Sequence, residues 1–389
     1  MIDLPQAEWT KREDLAALVA ALDAREMRWV GGAVRDTLLD MPVSDIDVAT
    51  RLIPQEVIRR LGQANIKTVP TGIEHGTVTA VLPQGNVEIT TLRRDVATDG
   101  RRATIVFAQE WRDDAARRDF TINALYAHPE SLEISDYFGG LEDLAERRVR
   151  FIGDARERIC EDHLRILRYY RFQARFGSRL DAEAEEACAE LAPTLKGLSR
   201  ERVAMELLNL LALPDPQDTV ARMFERGVLG VILPETDGER IDALRALIAA
   251  ERAQNVAPLA LRRLGALLPP DPERAEAVAA RLRLSTAQRK RLSLMARRQD
   301  AICAPRVLAY RIGREQAIDR LLLRNESVAA LEGWQSPQMP LKGGEIVSRG
   351  VGAGPEVARI LQSVEKRWVE EGFPSRQRVE QLLAEELER

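Results

Sequence analysis

The chain has 389 residues, with 57 Lys and Arg against 61 Asp and Glu and a net charge of −4. This length predicts two or three domains, and 45% hydrophobic with 30% charged residues excludes a disordered chain. Three widely spaced cysteines and three histidines exclude a disulfide framework and a zinc centre of Cys or His, and they favour a reducing cytosol. The sequence also predicts no secretory leader and no membrane-spanning segment.

Strands and helices are predicted to alternate over residues 1–150. Short runs rich in Val, Ile and Thr, bounded by Gly, Pro, Asp or Asn, predict strands. These runs are Met27–Val30, Ile46–Ala49, Gly76–Leu82, Val87–Leu92 and Thr104–Phe107. Helical patterns lie between them, at Lys11–Ala24, Ala33–Asp40 and Pro54–Gln63. The alternation predicts an α/β or α+β domain.

Helical periodicity dominates the rest of the chain. After Gly153 the strand patterns nearly vanish, and Leu, Ala, Arg and Glu prevail. Prolines interrupt the helical pattern at Leu213–Pro216, Pro269–Pro272 and Ser336–Pro340. The sequence therefore predicts an all-α part of about 240 residues, in two or three subdomains.

Two aspartates and a Gly-Gly turn form the first candidate site. Side chains alternate along a strand, so Asp45 and Asp47 are expected to project from one face. A divalent cation relieves their repulsion, and Mg²⁺ takes one or two carboxylates plus phosphate oxygens. Gly31 and Gly32 let backbone N–H groups approach a phosphate where the next helix begins, and Arg35 lies in its first turn. Together these features predict metal-dependent nucleotide chemistry.

Glu88 is the candidate for a third carboxylate. Two-metal sites commonly contain one, and Glu88 lies on a predicted neighbouring strand, Val87–Leu92. A solvent-facing strand residue is an equally good interpretation of this position.

A basic helix face is the second candidate site. On a helix with 100° per residue, five arginines fall within about 120° of arc. They are Arg165, Arg168, Arg171, Arg175 and Arg179. Arginine without lysine favours recognition of bases and phosphates, because the planar guanidinium group donates in a fixed fork. A solvated charged face is the alternative.

Four motifs carry a resemblance to a known family. They are GGAVRD at residues 31–36, DIDVAT at 45–50, RRDFTINAL at 117–125 and EDHLR at 161–165. Their order and spacing resemble the class II tRNA nucleotidyltransferases, which comprise CCA-adding enzymes and bacterial poly(A) polymerases. That family belongs to the DNA polymerase β nucleotidyltransferase superfamily. The motifs span about residues 27–180, and the remainder resembles the family only in being helical.

The resemblance implies an α/β nucleotidyltransferase head with a mixed sheet, followed by an all-α neck, body and tail. The implied boundaries are residues 1–150, 151–215, 216–310 and 311–389. The helical part is then expected to bind the acceptor and TΨC half of tRNA, with CTP and ATP as substrates. A flexible loop over Leu92–Asp114 would imply complete CCA addition, although an ordinary surface loop is the alternative.

A second basic segment lies within the helical part. Residues 281–298 carry seven positive charges and no negative one, which is a reasonable footprint for an RNA backbone. A solvated helix face is the alternative interpretation.

The resemblance also implies roles for single residues. Asp45 and Asp47 would hold two Mg²⁺ ions, which act on the RNA 3′-hydroxyl, the triphosphate and the departing pyrophosphate. The implied nucleotide contacts are Gly31, Gly32, Arg35, Arg118, Asn123, Arg168 and Arg171. Glu161 would orient neighbouring arginines, and Asn123 would position the ribose or the adjoining backbone.

Asp162 and Arg165 are the implied base readers. They are three residues apart, which is one turn of a helix, so both are expected to reach one base edge. Cytosine and adenine place an amino donor beside a ring-nitrogen acceptor, whereas guanine and uracil place an oxygen acceptor beside an N–H donor. A carboxylate and a guanidinium therefore admit C and A and reject G and U, because the wrong base leaves polar groups unpaired.

Three functions stay open at this point. They are CCA addition to tRNA, poly(A) synthesis by the same catalytic residues, and RNA binding by a catalytically inert protein. The segment Pro70–Thr79 resembles the CCA-adding branch, and intact Asp45, Asp47 and Asp162 argue against an inert protein. The sequence predicts no membrane contact and no particular oligomeric state.

Overall fold

The computed structural model describes residues 2–98, 103–177, 179–300 and 303–388. The chain divides into two compact units. The first comprises Met1–Leu210 with Asp218–Ile232, and the second comprises Leu211–Gln217 with Leu233–Arg389. Every described strand lies in the first unit, and the described part of the second is helical. An α/β head followed by helices confirms the predicted fold class, whereas the boundaries at 150, 215 and 310 stay predictions.

Seven strands form one mixed sheet. The nine described strands, seven of which belong to this sheet, are β1 Met27–Val30, β2 Ile46–Thr50, β3 Lys67–Gly72, β4 Thr77–Val81, β5 Val87–Thr91, β6 Arg93–Thr98, β7 Ala103–Phe107, β8 Leu125–Ala127 and β9 Ile134–Asp136. The sheet order is β3-β4-β5-β2-β1-β8-β9, and β6 pairs with β7 in a separate hairpin. The β2–β5 pair is parallel and the other pairs are antiparallel.

The predicted strands agree with β1, β2, β4, β5 and β7, but three sheet strands were missed. β3 contains Pro70 and has a mostly exposed pattern, so it lacks the apolar alternation that marks a strand. β8 and β9 have three residues each, which is too short for a period to show.

The prediction of a loop over Leu92–Asp114 is wrong for most of that segment. β6 and β7 form an antiparallel hairpin there, and a helix begins at Trp111. Residues 99–102 of the predicted loop lie outside the described residues. Charged and glycine-rich composition indicated a loop, but cross-strand hydrogen bonding decides the conformation.

Helices cover most of the chain outside the sheet. Up to residue 232 they are α1 Glu13–Leu22, α2 Gly32–Leu38, α3 Pro54–Gln63, α4 Trp111–Ala116, α5 Gly140–Ala145, α6 Ala155–Glu161, α7 Arg165–Phe176, α8 Ala182–Leu191, α9 Arg200–Leu211, α10 Gln217–Glu225 and α11 Val228–Ile232. Beyond it they are α12 Gly238–Ala253, α13 Ala260–Ala266, α14 Pro272–Arg281, α15 Thr286–Ala296, α16 Pro305–Ile312, α17 Arg314–Leu323, α18 Gly343–Val347, α19 Pro355–Glu370 and α20 Arg376–Leu387. None of these described helices has the length and apolar character that a bilayer crossing requires.

A buried cluster joins the sheet to α4 in the first unit. It contains Val30 of β1, Ala49 of β2, Tyr126 of β8 and Trp111 of α4. The rings of Trp111 and Tyr126 meet edge-on, with centroids 6.1 Å apart. Burial of such side chains contributes about 1.5–3 kcal/mol each, so the cluster fixes the strand ends that carry the motif residues.

The basic segment 281–298 of the second unit is largely neutralised within the protein. Arg281 pairs with Glu235 at 2.6 Å, and Arg291 pairs with Asp319 at 2.6 Å. Two further arginines are also engaged: Arg289 pairs with Glu276, and Arg298 is buried and donates to the Leu268 carbonyl. The predicted RNA-backbone strip is therefore not a row of free cations, because partners distant in sequence supply the opposite charges.

Candidate active site

The two aspartates of the second motif lie at the start of β2. Asp47 is the second residue of β2, and Asp45 is the residue directly before the strand. The Ser44 hydroxyl donates to Asp45 Oδ2 at 2.8 Å. Register places Asp47 opposite Val30 of β1 and opposite Glu88 of β5. Glu88 therefore lies on the strand next to β2, as the sequence predicted.

Like charges accumulate on this face of the sheet. Burial raises the pKa of Asp47, and the negative charges of Glu88 and Asp45 raise it further, while Arg118 lowers it. Across the described ranges, no group of three or more His, Cys, Asp or Glu side chains is arranged to hold a metal ion. The site therefore offers a carboxylate pair with a third acid beside it rather than a closed ligand cage, and the metal role of Glu88 stays a prediction.

The Gly-Gly turn connects β1 to α2, opposite Asp47. Gly31 has φ +70°, a conformation that L side chains rarely adopt, and this explains glycine at that position. Its backbone N–H donates to the Leu125 carbonyl at 3.2 Å. A Cβ atom on Gly31 would lie 3.5 Å from Arg118 Nη1, so the turn runs close beside the third motif. The structure thus brings the first three motifs together.

Arg35 is buried between the head and the helices that follow it. Arg35 is only 4% exposed, and this burial lowers the pKa of its guanidinium group. Nε donates to Asp36 at 2.8 Å, and Nη1 donates to the Asn123 side-chain oxygen. Asn123 in turn donates to Asp119 at 3.0 Å. In this structure Arg35 and Asn123 therefore bind each other and neighbouring carboxylates, and their contact with a nucleotide stays a prediction.

Arg118 is held by a buried aspartate that the sequence analysis missed. Asp114 binds Arg118 at 3.2 Å, Arg117 at 2.7 Å and the Tyr126 hydroxyl at 2.7 Å. Burial alone raises the pKa of Asp114, but the charges of Arg118 and Arg117 together with the Tyr126 hydrogen bond lower it to about 2. The carboxylate is therefore ionised and fixes Arg118 beside the Gly-Gly turn. The spacing of Asp114 and Arg118, four residues apart, was the available signal.

Asp162 and Arg165 do not share one helix as predicted. α6 ends at Glu161, Asp162 is extended with φ −149°, and α7 begins at Arg165. Asp162 accepts from Arg202 of α9 at 2.7 Å, whereas Arg165 donates to Glu161 at 2.6 Å. A helix break between residues separated by one turn is invisible to periodicity, because two abutting short helices give the same pattern as one.

The basic face predicted for α7 is real but is not free. Four of its arginines pair with carboxylates: Arg165 with Glu161 at 2.6 Å, Arg168 with Asp119 at 2.6 Å, Arg171 with Glu206 at 2.6 Å and Arg175 with Asp36 at 3.0 Å. α7 ends at Phe176, so Arg179 lies beyond it and pairs with Glu146 at 2.7 Å. The opposite face packs inward as predicted, with Ile166, Leu167 and Tyr170 buried.

Comparison with known proteins agrees with this arrangement. Residues 27–150 match the family model described as "Poly A polymerase head domain", and residues 178–239 match "Probable RNA and SrmB- binding site of polymerase A". The chain is 34% identical over 372 residues to the human protein "CCA tRNA nucleotidyltransferase 1, mitochondrial", covering 90% of this chain and 84% of the relative. It is 43% identical over 202 residues to a CCA-adding enzyme of Streptococcus pneumoniae serotype 19F (strain G54), covering 51% of this chain and 49% of that protein.

The fold is also shared with a solved structure. The crystal structure of the Bacillus stearothermophilus CCA-adding enzyme in complex with CTP superimposes with a TM-score of 0.74 at 27% identity, covering 92% of this chain and 93% of the other. An α/β head with paired carboxylates and a helical remainder is thus the architecture of a nucleotidyltransferase. Within that class, the chain belongs to the CCA tRNA nucleotidyltransferase family, which confirms the resemblance drawn from the four motifs.

Proposed function

We propose that this protein adds C, C and A to the 3′ end of tRNA, using CTP and ATP without a nucleic-acid template and releasing pyrophosphate. The observation that carries the proposal is similarity to CCA tRNA nucleotidyltransferases along nine-tenths of the chain, with 34% identity over 372 residues. The carboxylates of Asp45 and Asp47 at the start of β2, beside the Gly-Gly turn, supply the chemistry such a reaction needs.

Asp45 and Asp47 are proposed to hold Mg²⁺, with Glu88 as a third acid. Two neighbouring carboxylates suit this hard cation. Burial raises the pKa of Asp47, the nearby negative charges raise it further, and a divalent ion would neutralise those charges. The chemistry that divalent ions supply at such a site is stabilisation of triphosphate charge and activation of the attacking 3′-hydroxyl. Arg118, fixed by Asp114, lies near enough to lower the pKa of Asp47 and is proposed to contact the same triphosphate.

Base selection is assigned to Asp162 and Arg165. The Asp162 carboxylate would accept from the amino group of C or A, and Arg165 would donate to the neighbouring ring nitrogen. Both side chains currently bind protein partners, Arg202 and Glu161, so selection requires them to exchange those partners for the base or to share them with it. A base with the wrong donor and acceptor order would leave these polar groups unpaired, and this costs binding free energy.

The remaining nucleotide contacts are proposed to act in two ways. Backbone atoms at Gly31 and Gly32 and the guanidinium groups of Arg168 and Arg171 would contact the nucleotide directly. Arg35 and Asn123 would shape the site, since both are buried and bound to each other. The acceptor and TΨC half of tRNA is the proposed partner of the helical part, and the cytosol is the proposed location.

Poly(A) synthesis is the second candidate, because the model that matches residues 27–150 describes a poly(A) polymerase head. One assay separates the candidates: the full chain is incubated with Mg²⁺ and tRNA that ends before CCA, with one labelled nucleoside triphosphate at a time and in mixtures. Incorporation of C, C and A that then stops supports the proposal. A long A tail identifies a polymerase, and no incorporation identifies an RNA-binding protein.

A further inference from the structure

A closed ring of hydrogen-bonded side chains links α7 to the head within the first unit. Its members are Arg175, Asp36, Arg35, Asn123, Asp119 and Arg168. Arg175 Nη2 donates to Asp36 Oδ2 at 3.0 Å, and Asp36 Oδ1 accepts from Arg35 Nε at 2.8 Å. Both oxygens of Asp36 are thereby committed, one to α7 and one to the head.

The other side of the ring runs through the third motif. Arg35 donates to Asn123, Asn123 donates to Asp119 Oδ1 at 3.0 Å, and Arg168 donates to Asp119 Oδ2 at 2.8 Å. Arg168 and Arg175 both belong to α7, so the helix itself closes the ring. The two arginines are separated by two helical turns, or about 10 Å along the axis.

Two aromatic rings of α7 fill the space inside this polar ring. Phe172 and Phe176 are stacked with centroids 5.8 Å apart. The Arg35 guanidinium lies over both, at 5.2 and 4.6 Å from their centroids, and Arg175 lies 4.8 Å from the Phe176 centroid. Cation–π contacts and charge-assisted hydrogen bonds therefore act on the same groups, and this restricts their motion.

The ring joins the two halves of the proposed site. On the head side, Arg35 and Asp36 of the ring belong to α2. α2 follows β1, and Val30, the last residue of β1, lies opposite Asp47. Its α7 side belongs to the helix that begins with Arg165. Near that beginning α7 is held to the head twice, since Arg165 also donates to the Arg117 carbonyl at 3.2 Å. The Arg175–Asp36 pair is the matching attachment of the other end of α7.

We propose that Arg175 is a positioning residue for nucleotide selection: its ion pair with Asp36 sets the angle at which α7 presents the base-reading end to the carboxylates of β2. This inference rests on the proposed function. Without the pair, α7 keeps its attachments near its beginning and the contacts of Phe172 and Phe176 with Arg35, but its far end loses the ion pair that fixes the helix angle. Arg165 is then displaced relative to the nucleotide, although Arg175 itself touches no reacting atom.

The test replaces Arg175 by Met in the full chain, because Met keeps the aliphatic contact and removes the charge. We measure kcat and KM for CTP and for UTP on tRNA lacking CCA. The ratio of kcat/KM for CTP over that for UTP is expected to fall about tenfold, less than the roughly hundredfold that a misplacement of about 1 Å can cost. KM for tRNA and the thermal midpoint are expected to stay near the wild-type values, because Asp36 keeps its pair with Arg35.

The matched control is Arg156→Met. Arg156 is also an arginine of the first unit in an ion pair, with Glu190 at 2.8 Å, but it lies outside the ring. Its CTP-to-UTP ratio is expected to equal that of the wild type. Asp36→Asn weakens the pair with Arg175 and also the pair with Arg35, so it is expected to lower the ratio at least as much as Arg175→Met. The double variant is expected to show less than the sum of the two effects, because the Arg175–Asp36 contact is common to both. Arg175→Lys is expected to restore part of the ratio.

The outcomes are distinguishable. A purely structural role for Arg175 lowers the amount of active enzyme and thus kcat for both nucleotides, which leaves the ratio unchanged and overturns the inference. An unchanged ratio with a fully active variant overturns it as well. If the wild-type protein incorporates no CTP at all, the proposed function fails instead.

Discussion

Asp45 and Arg118 represent two kinds of residue within one site. Asp45 is exposed and accepts a hydrogen bond from the neighbouring Ser44 hydroxyl, so its carboxylate is accessible to a ligand that approaches from solvent. Arg118 is held by Asp114, Tyr126 and the Asn123 carbonyl before any nucleotide binds. Prior fixation of this kind removes the entropic cost of ordering a long side chain when the ligand binds.

Replacement of Asp45 by Asn tests the carboxylate pair. Asn keeps the size and an oxygen acceptor but removes the charge that binds a cation, so CMP incorporation into tRNA is expected to fall by about a thousandfold or more. The thermal midpoint is expected to stay unchanged because Asp45 is exposed. Asp40→Asn is the control: Asp40 is exposed with φ +54°, which Asn tolerates, and its activity should equal wild type. Near-normal incorporation by the Asp45 variant would refute the metal assignment.

Asp162→Ala tests base selection. Loss of the carboxylate removes the group proposed to accept from the amino group of C or A, so the preference for CTP over UTP is expected to drop by about a hundredfold or more. Steady-state incorporation of each nucleotide measures this ratio. Glu157→Ala, an exposed change on α6, is the control and should leave selectivity intact. A variant at Asp162 that discriminates like the wild type would show that another group reads the base.

At the scale of elements, α5 is seated directly against the loop that carries Thr121. A Cβ atom on Gly140, the first residue of α5, would lie 2.3 Å from the Thr121 carbonyl oxygen. The Thr121 hydroxyl also donates to the buried Asp143 of the same helix at 2.6 Å. The close approach of backbone to backbone explains why glycine begins this helix.

Gly140→Ala is therefore expected to destabilise the protein by about 2 kcal/mol, because the backbone must shift to accept the methyl group. Gly62→Ala is the matched control, since a Cβ there meets nothing within 4 Å inside α3. It should raise stability by about 0.5–1 kcal/mol through lower entropy of the unfolded chain. Thermal unfolding of the two variants measures opposite shifts, and equal shifts would contradict the packing argument.

For the molecule as a whole, positive and negative side chains are nearly equal in number, and many of them meet in ion pairs. The net charge is only −4, and three arginines of α7, Arg168, Arg171 and Arg175, pair with carboxylates that are distant in sequence. Asp119 illustrates the result: burial raises its pKa, but Arg168 and the Asn123 amide lower it to about 2. Stability of the fold is thus tied to the ionisation of these acids.

Acid is expected to weaken the fold through Asp114 and Asp119. Each has a folded pKa of about 2, below the ordinary 3.8, so each stabilises the protein above about pH 4 and loses that contribution as the pH falls toward 2. In urea unfolding, the free energy of unfolding of the wild type should exceed that of Asp119→Asn by an amount that shrinks by about 1 kcal/mol from pH 5 to pH 3. This difference is the gap between the two proteins. The exposed Asp242→Asn variant should show a constant gap. A constant gap for Asp119 would contradict the assignment.

The motifs, the α/β-then-helical order and the family were within reach of the sequence, because they depend on local patterns. Alternating apolar residues marked β1 and β2, and the spacing of Asp45 and Asp47 indicated one strand face. The short strands β8 and β9, and the pairing of β6 with the predicted strand β7, were beyond such reasoning, since pairing partners rather than periodicity stabilise them.

Amino-acid order alone determined which residue types occur in the site and on which face of an element they lie. Tertiary structure decided what each one binds: Arg175 with Asp36, Arg168 with Asp119, and Asp162 with Arg202. The reason is physical. In the unfolded chain a charged side chain is surrounded by water and has no preferred partner. Folding brings carboxylates and guanidinium groups from distant segments into buried surroundings, where each charge needs an opposite charge beside it.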